Sequence, residues 1–181
     1  DDAIFIDNRN NSAALKTADM VKFADETIVS TDWLNDFCSR HGKTATVIPT
    51  PVETDIIKPN EKTENKTLVI GWIGSAWTTG YLEPIIPALQ QLATDYEFKF
   101  LTVGAKTGFT VQGINHTNMP WEPGIEPKAL TQIDIGIMPL PDDDYARAKG
   151  GYKLYLYMAA GLPCIASPVG INSTIIKENI N

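Results

Sequence analysis

From Thr67 onward the sequence alternates near-continuous apolar runs with amphipathic stretches, and that rhythm leaves few architectures open. The run Leu68-Val-Ile-Gly-Trp-Ile73 lacks polar alternation, so a strand there must be buried on both faces. A helix over 81–94 is predicted next, then strands over 98–103 and 114–117, a short helix over 127–132 and a strand over 133–138. A helix over 149–160, a strand over 164–166 and a last helix from Ser173 complete the pattern. Buried strands joined by helices predict an α/β fold: a Rossmann-like parallel sheet with helices on both faces, binding ligands outside the carboxyl ends of its strands.

The first fifty residues carry the same alternation in shorter form. Leu15, Ala18, Val21 and Ala24 share one face of a helix over 12–24 that Ser12 can cap. A β-branched run over 26–30 follows. Thr31 or Asp32 then caps a helix through Trp33, Leu34, Phe37 and Cys38, which ends at His41 and Gly42. A second strand is predicted over 45–48. The stretch 51–66 is rich in proline and charge and has no apolar period, as a linker does. The expected organisation is therefore an α/β remnant over 1–50, a linker over 51–66 and a second domain over 67–181, truncated at its carboxyl end. The amino-terminal sheet is missing strands, so an exposed edge near 26–30 or 45–48 is expected, covered by a neighbouring copy or by the second domain.

Charge excludes several partners. A formal net charge of −7 and the absence of any Lys/Arg run argue against nucleic acid and against an anionic membrane surface. No run approaches the roughly 18 apolar residues of a spanning helix, and no leader pattern opens the chain. Cys38 and Cys164 lie in apolar contexts and read as buried thiols, which suits a reducing cytoplasm. The Asn-x-Ser/Thr triplets at Asn10, Asn65, Asn115 and Asn172 are then chance matches. Asp142-Asp143-Asp144 reads as a solvated loop without further ligands, so no metal and no cofactor is called for. His116 lies in a predicted strand, and neither it nor His41 has a nucleophile or paired carboxylate nearby in sequence.

Anion-binding potential concentrates in two places. Gly71-Trp-Ile-Gly74-Ser75-Ala-Trp77-Thr78-Thr79-Gly80 joins the first strand of the second domain to its first helix, where backbone N–H groups can approach a diphosphate and three hydroxyls can donate. Trp72 reads as core; Trp77 stands open between contact with a base or sugar and the core. Lys149 and Lys153 are four apart, and a helix starting near Gly150 would present both ammonium groups at its first turn. Each charge-assisted hydrogen bond to phosphate contributes roughly 1.5–3 kcal/mol. Arg147 is either a bidentate phosphate contact or a surface charge. Ser167 to Gly170 follow the last strand, so Gly170 is a candidate for close backbone approach to phosphate.

Gly74-Ser75, Trp121, Glu126, Asp134-Ile-Gly-Ile-Met-Pro-Leu140, Lys149, Lys153, Tyr157-Met-Ala-Ala-Gly-Leu-Pro163 and Ala166-Ser-Pro-Val-Gly170 together resemble the carboxyl-terminal half of group 1 (family 4) glycosyltransferases of the GT-B fold. Ala24 to Leu34 and Val47 to Glu53 are similar to the last strands of that family's amino-terminal domain and the crossing that follows. The resemblance implies the donor half of a retaining glycosyltransferase that moves a sugar from a nucleotide sugar to a glycan or lipid-linked acceptor. It implies that Gly74, Ser75 and Thr78 contact the donor phosphates, that Lys149 and Lys153 neutralise the leaving diphosphate, and that Ser167 to Gly170 border the same site; Arg147 joins the donor-binding candidates by its position two residues before Lys149. Many members carry two glutamates eight residues apart where this chain has Ala148 and Leu156. That departure motivates the alternative of a degenerate, inactive nucleotide- or partner-binding module. A nicotinamide-dependent oxidoreductase would need the Gly-x-Gly-x-x-Gly turn that this chain lacks.

Overall fold

A computed structural model of the chain describes residues 3–6, 11–59 and 67–177. The triplets at Asn10 and Asn65 and the end of the linker, 60–66, lie outside the described residues. Along the chain the elements are α1 (Asn11–Phe23), β1 (Ile28–Val29), α2 (Asp32–Arg40), β2 (Thr46–Val47) and β3 (Leu68–Ile73). After a 3-10 segment at Ala76–Ile85 come α3 (Ile86–Asp95), β4 (Phe98–Val103), β5 (Asn115–Met119), α4 (Ile125–Leu130) and β6 (Ile135–Met138). Then follow α5 (Asp144–Arg147), α6 (Tyr152–Ala159), β7 (Cys164–Ala166) and α7 (Asn172–Ile175).

These elements form two compact units. One comprises the described residues of Asp1–Pro51, Pro141–Tyr152 and Pro168–Asn181; the other comprises those of Val52–Leu140 and Lys153–Ser167. A reading of linker composition could not see that 141–152 and 168–177 group with the amino-terminal elements, because that grouping is made by contacts distant in sequence.

In the first unit, Thr31 caps α2, its hydroxyl accepting from the Leu34 N–H at 3.3 Å. The Asn35 side chain accepts from the Ala45 N–H at 2.9 Å and so anchors the approach to β2. β1 and β2 pair in parallel, Ile28 opposite Thr46 and Val29 opposite Val47. The pair is shorter than the predicted 26–30 and 45–48, and it leaves Ile28 and Ile48 exposed. Parallel strands ordinarily lie in sheets covered on both faces, so two residues per strand is little support.

The second unit is a five-stranded, all-parallel sheet in the order β5-β4-β3-β6-β7. The chain winds outward from β3 through β4 to β5, then returns across it to β6 and β7, which places a topological switch point between β3 and β6. Ile70, Trp72, Phe98, Phe100 and Ile137 on one face pack with Leu82 and Leu89 from the 3-10 segment and α3. Trp72 and Phe100 are fully buried, each contributing roughly 1.5–3 kcal/mol. On the other face Gly71 lies under Ile133, and Gly136 lies under the ring of Tyr157 from α6. Both faces thus carry helices, and an apolar trough of about 430 Å³ lined by Ile85, Leu89, Leu92, Ile137 and Ile165 runs along the first face beside β6 and β7.

The predicted helix over 81–94 is instead a 3-10 segment to Ile85 followed by α3. Pro84 supplies no N–H for an α-helical bond, and Pro87 is tolerated only because it falls in the first turn of α3. At the sheet edge, Thr102 on β4 donates its single hydroxyl hydrogen to Asn118 Oδ1 at 3.0 Å. Its oxygen therefore accepts from His116 Nε2 at 2.9 Å, which fixes the tautomer, while Asn118 Nδ2 donates to the Ala105 carbonyl at 3.1 Å. Burial between the rings of Phe100 and Phe109 lowers the His116 pKa below its ordinary value.

Two measurements check this packing. Gly136→Ala forces a β-carbon into the Tyr157 ring and should destabilise the chain by roughly 1–3 kcal/mol in urea unfolding. Gly80→Ala meets nothing within 4 Å and should stay within about 0.5 kcal/mol. For His116 the unfolded chain binds a proton that the folded chain resists, so its contribution is present above about pH 6.5 and is lost as pH falls from there toward the lowered folded value. His116→Gln should therefore flatten the loss of unfolding free energy between about pH 7.5 and about pH 5.5; an unchanged slope contradicts the assignment.

Candidate functional site

The carboxyl ends of the five parallel strands supply the site of the second unit, and its geometry starts from an incomplete ladder. β3 pairs with β4 along all six residues, from Leu68 opposite Phe98 to Ile73 opposite Val103. It pairs with β6 only at Ile70–Ile135 and Gly71–Gly136. Past Gly71 the Tyr157 phenol takes the place of the ladder: its oxygen accepts from the Ile73 N–H at 3.1 Å and its hydrogen goes to the Ile137 carbonyl at 3.3 Å. Complete burial raises the Tyr157 pKa well above the ordinary phenol value, so the hydroxyl stays a donor.

Trp72 is the first residue of β3 past the positions paired with β6. Its six-membered ring occupies the space a β-carbon at Gly74 would need, so only glycine lets the chain turn there. Lys153, the second residue of α6, sets its Nζ 5.7 Å from the centroid of the same indole. One buried ring thereby joins the ammonium group to the Gly74-Ser75 bend, at the end of a helix whose first N–H groups have no intrahelical partner. The sequence reading of Trp72 as core is met by its 1% exposure, and the same ring also borders the site.

The bend is internally tied. The Ser75 N–H donates to Thr78 Oγ1 at 3.3 Å, and the Ser75 carbonyl accepts from the Thr78 N–H at 3.0 Å. Thr78 and Thr79 are both buried, and Thr79 Oγ1 accepts from the Lys106 N–H at 2.8 Å. The threonines thus brace the loop, and Ser75 is the exposed hydroxyl of the bend. Gly104, at φ 76°, is in close contact with the Gly74 carbonyl and faces Trp121 Cβ at 3.0 Å from where its own β-carbon would stand. Ser167 Oγ accepts from the Leu140 N–H at 3.0 Å, linking the ends of β6 and β7. Trp77 is 72% exposed on the 3-10 segment.

The remaining predicted site residues belong to the first unit. Lys149 is not on the helix of Lys153. It follows α5, with its N–H on the Ala146 carbonyl at 3.2 Å and its Nζ 4.5 Å from the Tyr145 ring centroid. Gly151 at φ 73° interrupts the helical path, and α6 begins only at Tyr152. The expectation of two ammonium groups on one helical turn is thereby corrected. Arg147 pairs with Asp142 at 2.7 Å and Asp144 at 3.5 Å, which lowers the Asp142 pKa and raises its own. Asp143 caps α5 by accepting from the Ala146 N–H at 2.7 Å. The acidic triplet is solvent-exposed, as a solvated segment is, and it also caps α5 and pairs with Arg147. Gly170, at φ 56°, lies so close to the Arg147 backbone that a β-carbon would be 2.6 Å from its carbonyl oxygen. That contact is sufficient reason for glycine there.

Tyr157 and Gly104 were not singled out from the residues as site-forming. A tyrosine in an apolar helix with glycine on the facing strand was a readable hint, since a buried phenol needs partners and a ring needs room.

No family model matches the sequence, and no curated protein matches it. Solved structures match the fold. Anabaena Alr3699/HepE in complex with UDP and glucose aligns with a TM-score of 0.70 at 12% identity, covering 95% of this chain and 52% of that one. TarM aligns with a TM-score of 0.64 at 14% identity, covering 92% and 34%. The apo form of the lipopolysaccharide outer core galactosyltransferase WaaB aligns with a TM-score of 0.57 at 16% identity, covering 90% and 47%. The chain spans about half the length of these structures or less. Its parallel sheet, strand order and matched extent give it the fold of GT-B glycosyltransferases, over a part consistent with their carboxyl-terminal half.

Proposed function

We propose that this chain is the donor-binding half of a retaining glycosyltransferase, holding a nucleotide sugar by its diphosphate for transfer to a glycan or lipid-linked acceptor. The observation that carries the reading is the placement of Lys153 over the Trp72 ring whose edge abuts the Gly74-Ser75 bend, at the switch point of the sheet. When the bond between the anomeric carbon and the phosphate oxygen breaks, negative charge grows on the departing diphosphate. Lys153 beside the Trp72 ring and the Ser75 hydroxyl on the bend would stabilise that charge. Thr78 supports this indirectly, by holding the bend, and Ser167 by holding the neighbouring strand ends. Lys149 and Gly170 enter the proposal through the family resemblance, and Arg147 through its place two residues before Lys149.

Two of the similar structures are complexes with UDP and a sugar: HepE with glucose, and the pneumococcal O-GlcNAc transferase GtfA with GlcNAc. They support UDP as a first probe. The acceptor site, cytoplasmic residence and association of copies through the β1–β2 edge belong to the same proposal. Among the described residues no helix is long and apolar enough to cross a membrane.

One observation favours the degenerate reading. Ala148 and Leu156, which stand where many family members carry glutamates, are 0% and 2% exposed and are part of the core of their respective units. Calorimetric titration with UDP- and GDP-sugars separates the two. The transferase reading expects micromolar binding of at least one donor, weakened roughly 10- to 100-fold by Lys153→Ala. Binding of none of them, by a chain that is folded by circular dichroism, favours the degenerate module.

A further inference from the structure

We infer that Tyr157 is a positioning residue for Lys153, setting where the ammonium stands by wedging its hydroxyl into the open end of the β3–β6 ladder. The inference rests on the donor-site reading and gives a role to a residue outside the proposed ligand contacts.

Tyr157 and Lys153 are four residues apart on α6, so they lie on one helical face, a turn from each other. Tyr157 is held at both its ring and its hydroxyl. The ring fills the space above Gly136, and the hydroxyl is bonded to Ile73 on β3 and Ile137 on β6. The seated ring and the two hydroxyl bonds together hold α6 in its height along the strands and in its rotation about its own axis. One turn earlier, the same helix then delivers Lys153 to the Trp72 ring beside Gly74. Ile73, which donates to the phenol, immediately precedes Gly74, so the bend and the lysine are registered by the same hydroxyl.

Tyr157→Phe keeps the ring and removes only the oxygen. It leaves the Ile73 N–H and the Ile137 carbonyl without that partner across the gap. A merely structural role would lower stability and weaken every ligand contact alike. Positioning of Lys153 predicts a narrower loss, confined to the phosphate contact that Lys153 makes.

The test is a double-mutant cycle on the full chain with UDP as the probe. Tyr157→Phe should weaken UDP binding roughly 5- to 20-fold in the parent and less than about twofold in the Lys153→Ala background. An equal loss in both backgrounds, or no loss in the parent, overturns the inference while leaving the donor-site reading in place. If the parent binds UDP and Lys153→Ala does not weaken it, or if the parent binds neither UDP nor GDP, the reading and the inference both fall.

Should Tyr157→Phe not fold, coupling can be read without it. Binding linkage is reciprocal, so if the phenol bond supports the phosphate contact, phosphate must support the phenol bond. UDP should then slow hydrogen exchange of the Ile73 amide at least about threefold in the parent and not in Lys153→Ala. Unchanged exchange at Ile73 in UDP-saturated parent overturns the inference.

Discussion

The shortness of the β3–β6 ladder governs the second unit. Two paired positions join the halves of the sheet, against six between β3 and β4. Backbone groups exposed by a parting of strands inside a buried sheet must find other partners, because each unmet one costs about 1–3 kcal/mol. The Tyr157 hydroxyl meets that need from both sides, accepting from one strand and donating to the other. Neither a phenylalanine nor a shorter polar side chain on α6 combines that reach with both roles. The gap is thus kept open at its carboxyl end and satisfied underneath.

From that gap the other features follow in order. Gly136 must lack a side chain because the ring lies on it, and Gly71 on the same face yields to Ile133. On the opposite face Trp72 extends over Gly74, which turns the chain, and Gly104 comes into contact with the Gly74 carbonyl. Glycine is required at these places by neighbours already in position. Their effect is to bring three strand ends close together, with the threonine bracing of 75–79 and the Thr79–Lys106 bond holding the loops between them.

Much of this is legible in the sequence. The apolar run 68–73 announced a doubly covered strand, and the regular return of such runs announced a parallel sheet with its ligand edge at the carboxyl ends. For the lysine pair, spacing alone is a poor guide. A four-residue interval fits one helical turn, but Gly150-Gly151 lies inside it, and paired glycines are poor helix formers. Gly151 adopts positive φ, so the two lysines belong to different elements. The four-residue α5 was invisible to periodicity, although Asp143 three positions ahead of Ala146 is a capping spacing. The Tyr157 bridge was beyond reach for another reason: it depends on which strands part, and no local pattern encodes that.

The apolar trough beside β6 and β7 has a thermodynamic consequence. Ile165 is 65% exposed and Leu92 38% exposed at its margin, and the lining is aliphatic. Water against such a surface is displaced with little enthalpy near room temperature and a large change in heat capacity, so the tendency to cover it strengthens on warming and fades in the cold. A preparation of this chain should therefore stay most dispersed on ice, with cloudiness that grows on gentle warming and clears again on cooling.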